Sequence, residues 1–188
     1  MWIYQKNLMY PVSITKKDLK FAKILVETIG GPYGELAAAL RYLTQRYTMP
    51  TNEAKALLTD IGTEELGHVE ILSTMMYQLL KGATIEEIKE AGLENNYIAH
   101  GHNFFLTDSN GIPFDAKYIA VTGDCIADLT EDIAAEEKAR AGYEHLMDLT
   151  DNEEILAPLA FLRQREIIHC QRFAEMLTIL NEYKKNNQ

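Results

Sequence analysis

Two stretches of this sequence place a glutamate and a histidine three residues apart in the middle of an otherwise apolar helical pattern. They are TEELGHVEIL, with Glu65 and His68, and LRQREIIHCQRF, with Glu166 and His169. Residues three apart in a helix lie on one face, one turn from each other. Buried ionised side chains are costly unless they are paired or bound to a cation. The chain must therefore fold so that its helical interior neutralises these pairs.

The two stretches repeat one pattern at a fixed distance along the chain. Each glutamate, each histidine and the apolar residues around them recur 101 residues later. The same offset relates Glu35, in GELAAALRYL, to Glu136, in IAAEEKARAGY, and Tyr42 to Tyr143. It favours Glu136 over its neighbour Glu137, because adjacent helical residues point about 100° apart. Four helices are thus expected to carry acidic side chains on their apolar faces.

Four long segments of the chain have helical periodicity. They cover approximately residues 15–47, 52–81, 124–149 and 151–183. Thr15 and Asp151 are the expected N-caps of the first and last segments, since short polar side chains favour that position. A Gly-Gly-Pro sequence at 30–32 predicts a kink or a break in the first segment. A further short helix is expected to end at Gly92.

Between the second and third helices lies a segment of different character. Residues 93–122 lack helical periodicity and include an Asn-Gly turn signal. Two helices, a long connection and two more helices are the pattern of a four-helix bundle with one crossover. We therefore predict an all-α, ferritin-like bundle formed by a single domain. An N-terminal arm at 1–14 and a polar tail at 184–188 are expected at its ends.

Composition and charge narrow the class of protein. The chain has 188 residues, of which 47% are hydrophobic, and a formal net charge of −10. The negative charge argues against nucleic acid or an anionic membrane as a partner. No signal peptide and no apolar run of about 18 residues are visible. Two cysteines, Cys125 and Cys170, are too few for a disulfide framework, so an intracellular protein is expected.

Four carboxylates and two imidazoles converge on one level of the predicted bundle. One glutamate from each of two helices, with a Glu-x-x-His pair from each of the others, is the arrangement of two-metal carboxylate proteins. The sequence therefore predicts a two-metal site formed by Glu35, Glu65, His68, Glu136, Glu166 and His169. Oxygen and nitrogen donors do not by themselves distinguish manganese from iron. The alternative is a buried polar network that is satisfied without metal.

The motifs that carry these residues resemble those of the manganese catalases. They are GELAAALRYLTQRY, TDIGTEELGHVEIL, DLTEDIAAEEKARAGYEHL and FLRQREIIHCQRF. The resemblance extends from MWIYQKNL through almost the whole chain, and is closest to a short subgroup associated with the spore coat of endospore-forming bacteria. It implies a ferritin-like bundle with two manganese ions that disproportionates hydrogen peroxide. It also implies a hexameric homo-oligomer, cytoplasmic or deposited in the spore coat with other coat proteins.

The resemblance further implies a role for each site residue. The implied metal ligands are Glu35, Glu65, His68, Glu136 and His169. Glu65 would bridge the two ions. Glu166 would handle protons beside the bridging solvent instead of binding metal directly. Tyr42 would make a hydrogen bond close to Glu35, outside the ligand set.

Two other functions remain open at this stage. A di-iron ferroxidase or peroxidase could use the same scaffold, although rubrerythrins are disfavoured because they add a cysteine-rich iron domain. A structural coat protein could use the metal site only to stabilise its fold. His100 and His102, in AHGHNFF, suggest a third metal site, but no other ligand set is near them in the sequence. We expect them to be surface or interface residues.

Overall fold

The computed structural model describes residues 7–98 and 105–187 of the chain. Its helices, in chain order, are α1 (Leu19–Leu25), α2 (Glu27–Gly30), α3 (Glu35–Gln45), α4 (Asn52–Leu79), α5 (Ile85–Glu90), α6 (Cys125–Met147) and α7 (Glu153–Asn186). Short helical turns cover Arg46–Thr48, Glu94–Ile98 and Ala116–Tyr118. The only β pairing in the described ranges is an isolated bridge between Thr107 and Pro113. The prediction of an all-α fold is confirmed.

Side-chain caps define where the first and last helices begin. The two N-caps predicted for them were wrong. Asp18 caps α1 by accepting a hydrogen bond from the backbone of Phe21, while Thr15 bonds to the side chain of Glu154 instead. Asn152, one residue beyond the predicted position, caps α7 through the same kind of bond. At its other end α7 continues to Asn186, so most of the expected polar tail is helical.

The first predicted helix is divided into three pieces, and its Gly-Gly-Pro sequence separates the second piece from the third. A Cβ atom at Gly30 would lie 2.5 Å from the carbonyl oxygen of Thr107, so only glycine lets the crossover pack against the chain here. The break ends α2, and α3 begins at Glu35. Glu35 therefore occupies the first turn of α3, where the unpaired backbone N–H groups favour a negative charge.

The bundle core consists of two apolar clusters with polar side chains between them. Along α4, Leu58 and Ile61 belong to one cluster and Leu72 and Met75 to the other, with Glu65 and His68 in between. The order is reversed along the antiparallel α7. Apolar burial thus holds the four helices on both sides of a charged layer, and fixes its height in the bundle.

The crossover is attached to the face of the bundle formed by α3. Arg41 donates a hydrogen bond to the carbonyl oxygen of Tyr118, and Gln45 donates one to that of Ala120. The expected Asn-Gly turn is present, with Gly111 at a φ of 79°. His100 and His102 lie outside the described residues. No helix in the described part of the chain combines the length and apolar character needed to cross a bilayer.

Candidate metal centre

The six residues of the predicted site are buried together in the charged layer. None of them is more than 3% exposed. They come from four helices: Glu35 from α3, Glu65 and His68 from α4, Glu136 from α6, and Glu166 and His169 from α7. By contrast, Glu137 is exposed. Matching periodicity in antiparallel helices therefore brings four carboxylates and two imidazoles to one place.

These residues form two overlapping groups. In each group, one potential ligand atom per residue lies within 4.8 Å of the others. The first group contains Glu35, Glu65, His68 and Glu166. The second contains Glu65, Glu136, Glu166 and His169. Each group has its own imidazole, and both share the same two carboxylates, which is the arrangement that a pair of neighbouring ions requires.

Glu65 lies between the two histidines. Its Oε2 atom is 2.7 Å from Nδ1 of His68, and its Oε1 atom is 2.8 Å from Nδ1 of His169. The two imidazole rings are stacked, with centroids 5.6 Å apart. Oxygens of Glu166 and Glu136 lie 3.4 Å and 3.6 Å from the same Nδ1 atoms, respectively. Both Nδ1 atoms thus face the carboxylates.

Burial and neighbouring charge shift the protonation of this cluster. Burial raises the pKa of Glu65 to about 7. Burial, together with the charges of Glu35 and Glu136, holds the pKa of Glu166 well above its usual range. Burial alone would lower the pKa of His169, but the carboxylate of Glu65 and other acids raise it to about 12. The cluster therefore favours added positive charge, which protons or divalent cations can supply.

Several polar atoms of the cluster have no hydrogen-bond partner. These are both oxygens of Glu65, both nitrogens of His68 and His169, and one oxygen each of Glu136 and Glu166. Buried polar atoms are ordinarily hydrogen-bonded, so a network satisfied without metal does not describe this site. Because the unpaired atoms are oxygen and nitrogen donors, the residues fit a pair of divalent ions.

Two tyrosines bond to the carboxylates of the opposite helices. The hydroxyl of Tyr42 donates to Glu136, and that of Tyr143 donates to Glu35. A bond to Glu136 is not the one expected for Tyr42, because seven residues carry it about 10 Å along α3 from Glu35. Tyr143 was missed as a site residue, although the 101-residue offset pairs it with Tyr42.

Glu64 is the second residue that sequence reasoning missed. Its oxygens lie 3.7 Å from Nε2 of His68 and 3.2 Å from Nε2 of His169. Arg165 holds its carboxylate through two hydrogen bonds, of 2.5 Å and 3.2 Å. The signal that could have found this pair is again the offset, because Arg165 stands 101 residues after Glu64.

A small cavity reaches the carboxylates from the side of α3 and α6. Glu35, Glu136 and Glu166 line it together with Ala139. The space available to the centre of a water-sized molecule is about 10 Å³, which corresponds to about one such molecule. A cavity of about 190 Å³ shares Glu35, Ala139 and the exposed Tyr33 with it. Together they form a route by which a small molecule could approach the site.

Known proteins match this chain over nearly its full length. A family model described as "Manganese containing catalase" matches residues 1–187. Protein CotJC of Bacillus subtilis is 53% identical over 182 residues, which cover 97% of this chain and 96% of that protein. A probable manganese catalase of Clostridium acetobutylicum is 36% identical over 94% of this chain and 80% of its own. KatB, a manganese catalase from Anabaena, has a TM-score of 0.88 at 33% identity, covering 96% of this chain and 81% of its own.

Proposed function

This chain belongs to the family of manganese-containing catalases, and on that premise we propose that it disproportionates hydrogen peroxide to water and dioxygen at a centre of two manganese ions. The observation that carries the proposal is the pair of overlapping ligand groups joined by Glu65 and Glu166. The buried carboxylate oxygens and imidazole nitrogens without hydrogen-bond partners support the proposal, because bound cations would satisfy them in place of hydrogen bonds.

We assign the ligands from the membership of each residue in these groups. Glu35 and His68 belong to the first group alone, and Glu136 and His169 to the second alone. Each pair would therefore bind one ion, and Glu65, which contacts both imidazoles, would bind both. When bound, the two ions would supply a reservoir for two electrons, which is what alternating oxidation and reduction of peroxide requires.

Glu166 also belongs to both groups, and we assign it to proton transfer instead of ligation, as the family resemblance implies. It lines the small cavity, and its Oε1 atom has no hydrogen-bond partner. Without bound cations, burial and the charges of Glu35 and Glu136 hold its pKa well above the usual range, so this carboxyl group takes up a proton readily. In its ionised form, Glu166 would accept the protons of an entering peroxide at Oε1, one at a time, and return them to the oxygen atom that leaves as water. Over a full cycle, two molecules of hydrogen peroxide give two of water and one of dioxygen, so the carboxyl group ends unchanged.

Tyr42 and Tyr143 would fix the carboxylates that they contact. Each hydroxyl is buried and donates to one oxygen of Glu136 or Glu35. A carboxylate held in this way cannot rotate freely, so its other oxygen remains directed at the centre. The tyrosines are therefore positioning residues for the ligands on α3 and α6.

The test is oxygen evolution from hydrogen peroxide by manganese-loaded, iron-loaded and metal-free protein. We expect oxygen only with manganese, and none after Glu35→Ala or His169→Ala; Glu137→Ala, at an exposed position on α6, is the matched control. Peroxide consumption without oxygen, in the iron form alone, would indicate the peroxidase or ferroxidase. Two bound ions without turnover in either form would indicate a structural protein.

We also propose that the chain assembles into a homo-oligomer, the hexamer implied by the family resemblance, and that it moves from the cytoplasm to the spore coat. Large exposed side chains, including Tyr47, Tyr77 and Leu149, offer apolar area for contacts between subunits or with other coat proteins. Light scattering coupled to size exclusion would give the mass of the assembly. Immunodetection in purified coat extracts would test the location, and a protein found only in the mother-cell cytoplasm would contradict it.

A further inference from the structure

We propose that Glu64 is a positioning residue that orients both histidines of the site, so that one outer carboxylate serves two metal ligands. This inference rests on the proposed two-metal function and assigns a role to a residue outside the ligand set. Glu64 is 13% exposed and directs one oxygen at Nε2 of each imidazole, at 3.7 Å for His68 and 3.2 Å for His169. The proposed reaction assigns no step to Glu64.

The chemistry follows from the two nitrogens of an imidazole. A neutral histidine carries one N–H, and the position of that hydrogen determines which nitrogen has a lone pair for a metal. An acceptor at Nε2 keeps the hydrogen there and leaves Nδ1, which faces Glu65 in both histidines, free to bind. Neither Nε2 contact is yet aligned as a good hydrogen bond. The oxygen facing Nε2 of His169 is already within hydrogen-bond distance, whereas the one facing Nε2 of His68 would have to move closer.

Arg165 explains why one carboxylate can serve both rings. The 101-residue offset that relates α4 to α7 would place a second acidic residue at position 165. The chain has arginine there instead. Its guanidinium group binds both oxygens of Glu64 and fixes the carboxylate between the histidines. A second glutamate at this position would add negative charge beside four buried carboxylates. The arginine at position 165 thus breaks the repeat between α4 and α7, and it holds Glu64 where both histidines can share its carboxylate.

The same two helices supply a comparison pair with no such role. Asp60 of α4 and Arg172 of α7 form an ion pair at 2.7 Å, and the Asp60 side chain is 63% exposed. Within the described part of the chain, its carboxylate pairs with Arg172 and with no imidazole. If Glu64 acted only by pairing α4 with α7, then Asp60 would act in the same way. Asp60→Asn is therefore the matched control for Glu64→Gln.

The experiment measures manganese binding in the wild type, Glu64→Gln and Asp60→Asn. Binding is followed by competition with a chelator, and the bound ions are examined by low-temperature electron paramagnetic resonance. The glutamine amide can accept from one Nε2–H but presents its own N–H to the other ring. We therefore expect one of the two ions to bind about 10- to 100-fold more weakly. The spectrum would change from that of a coupled pair to that of isolated Mn²⁺, whereas Asp60→Asn would resemble the wild type.

Equal affinity for both ions in Glu64→Gln and the wild type would overturn the inference. So would an equal loss of affinity in Glu64→Gln and Asp60→Asn, because that result would reduce Glu64 to a structural ion pair. If Glu64→Gln does not fold, Arg165→Gln gives the same test, with weakened binding expected and unchanged binding contrary to the inference. A wild-type protein that binds two ions but releases no oxygen would contradict the proposed catalase function and leave this comparison intact.

Discussion

Tyr143 on α6 donates its hydroxyl hydrogen to Glu35 on α3, and the contact is reciprocated because Tyr42 on α3 donates to Glu136 on α6. The helices run in opposite directions, so a tyrosine two turns from one glutamate lies level with the other. Both tyrosines are at most 1% exposed, and the two glutamates that accept from them are at most 3% exposed. The two hydrogen bonds therefore have equivalent roles, each fixing one carboxylate of the site.

Removing either hydroxyl is expected to weaken the site to a similar extent. In Tyr143→Phe or Tyr42→Phe, a buried carboxylate loses one hydrogen bond, which costs about 1–3 kcal/mol. We expect each variant to retain manganese about tenfold less tightly and to lose catalase activity in proportion. Chelator competition and oxygen evolution measure the two effects. A strong effect of Tyr42→Phe with none from Tyr143→Phe would contradict the matched roles.

Glu166→Gln is expected to separate metal binding from turnover. The amide preserves the shape of the side chain but cannot exchange a proton, so kcat should fall by about 10²- to 10⁴-fold. Manganese content should remain at two ions per chain, because Glu166 is assigned to proton transfer and not to ligation. Metal analysis of the variant, alongside the exposed Glu137→Gln on α6, provides the check. Loss of an ion in Glu166→Gln would show that it is a ligand after all.

Ala139→Leu is expected to narrow the approach to the site. Ala139 lines both cavities, and a larger side chain there would fill the space between them. We expect kcat/KM for hydrogen peroxide to fall by about tenfold. Manganese content should not change, because Ala139 has no ligand atom. Ala134→Leu, at an exposed position on the same helix, should behave as the wild type, and an equal loss in both variants would argue against this route.

The free energy of unfolding of metal-free protein is expected to fall as pH rises from about 5 to 8. Burial raises the pKa of Glu65 from 4.5 to about 7, and neighbouring carboxylates raise that of His169 from 6.5 to about 12. A group whose pKa is raised on folding stabilises the folded state below its unfolded pKa, and this stabilisation is lost as pH rises towards the folded value. For Glu65 alone the loss is on the order of 3 kcal/mol.

Manganese should reverse this trend, because it binds the deprotonated ligands. Urea denaturation at pH 5, 6.5 and 8, with and without Mn²⁺, measures both curves. We expect the stabilisation by Mn²⁺ to increase with pH. A metal-free protein that becomes more stable between pH 5 and 8 would contradict the assigned protonation of Glu65 and His169.

The positions of the buried acids could be predicted because they depend on periodicity within single helices. Glu136 could be separated from Glu137 in this way, since only one of the two continues an apolar face. The partner of Tyr42 could not be predicted, because it depends on the register of two helices that pack antiparallel. The bond between Glu64 and Arg165 was missed although the 101-residue offset relates the two residues. The division of the first helix was only partly foreseen. The Gly-Gly-Pro sequence marks the break at Gly30, where Thr107 packs closely, but no such signal marks the break at Val26.

The charged layer divides the apolar interior into two clusters, and neither cluster extends past it. Small apolar cores are marginal, because a smaller folded unit buries a smaller fraction of its surface on folding. The two ends of the bundle are coupled by the helices that run through the layer, by its ligands and by the cations that these hold. Whether this protein melts in one cooperative transition or in two thus depends on the occupancy of a layer only one or two helical turns thick.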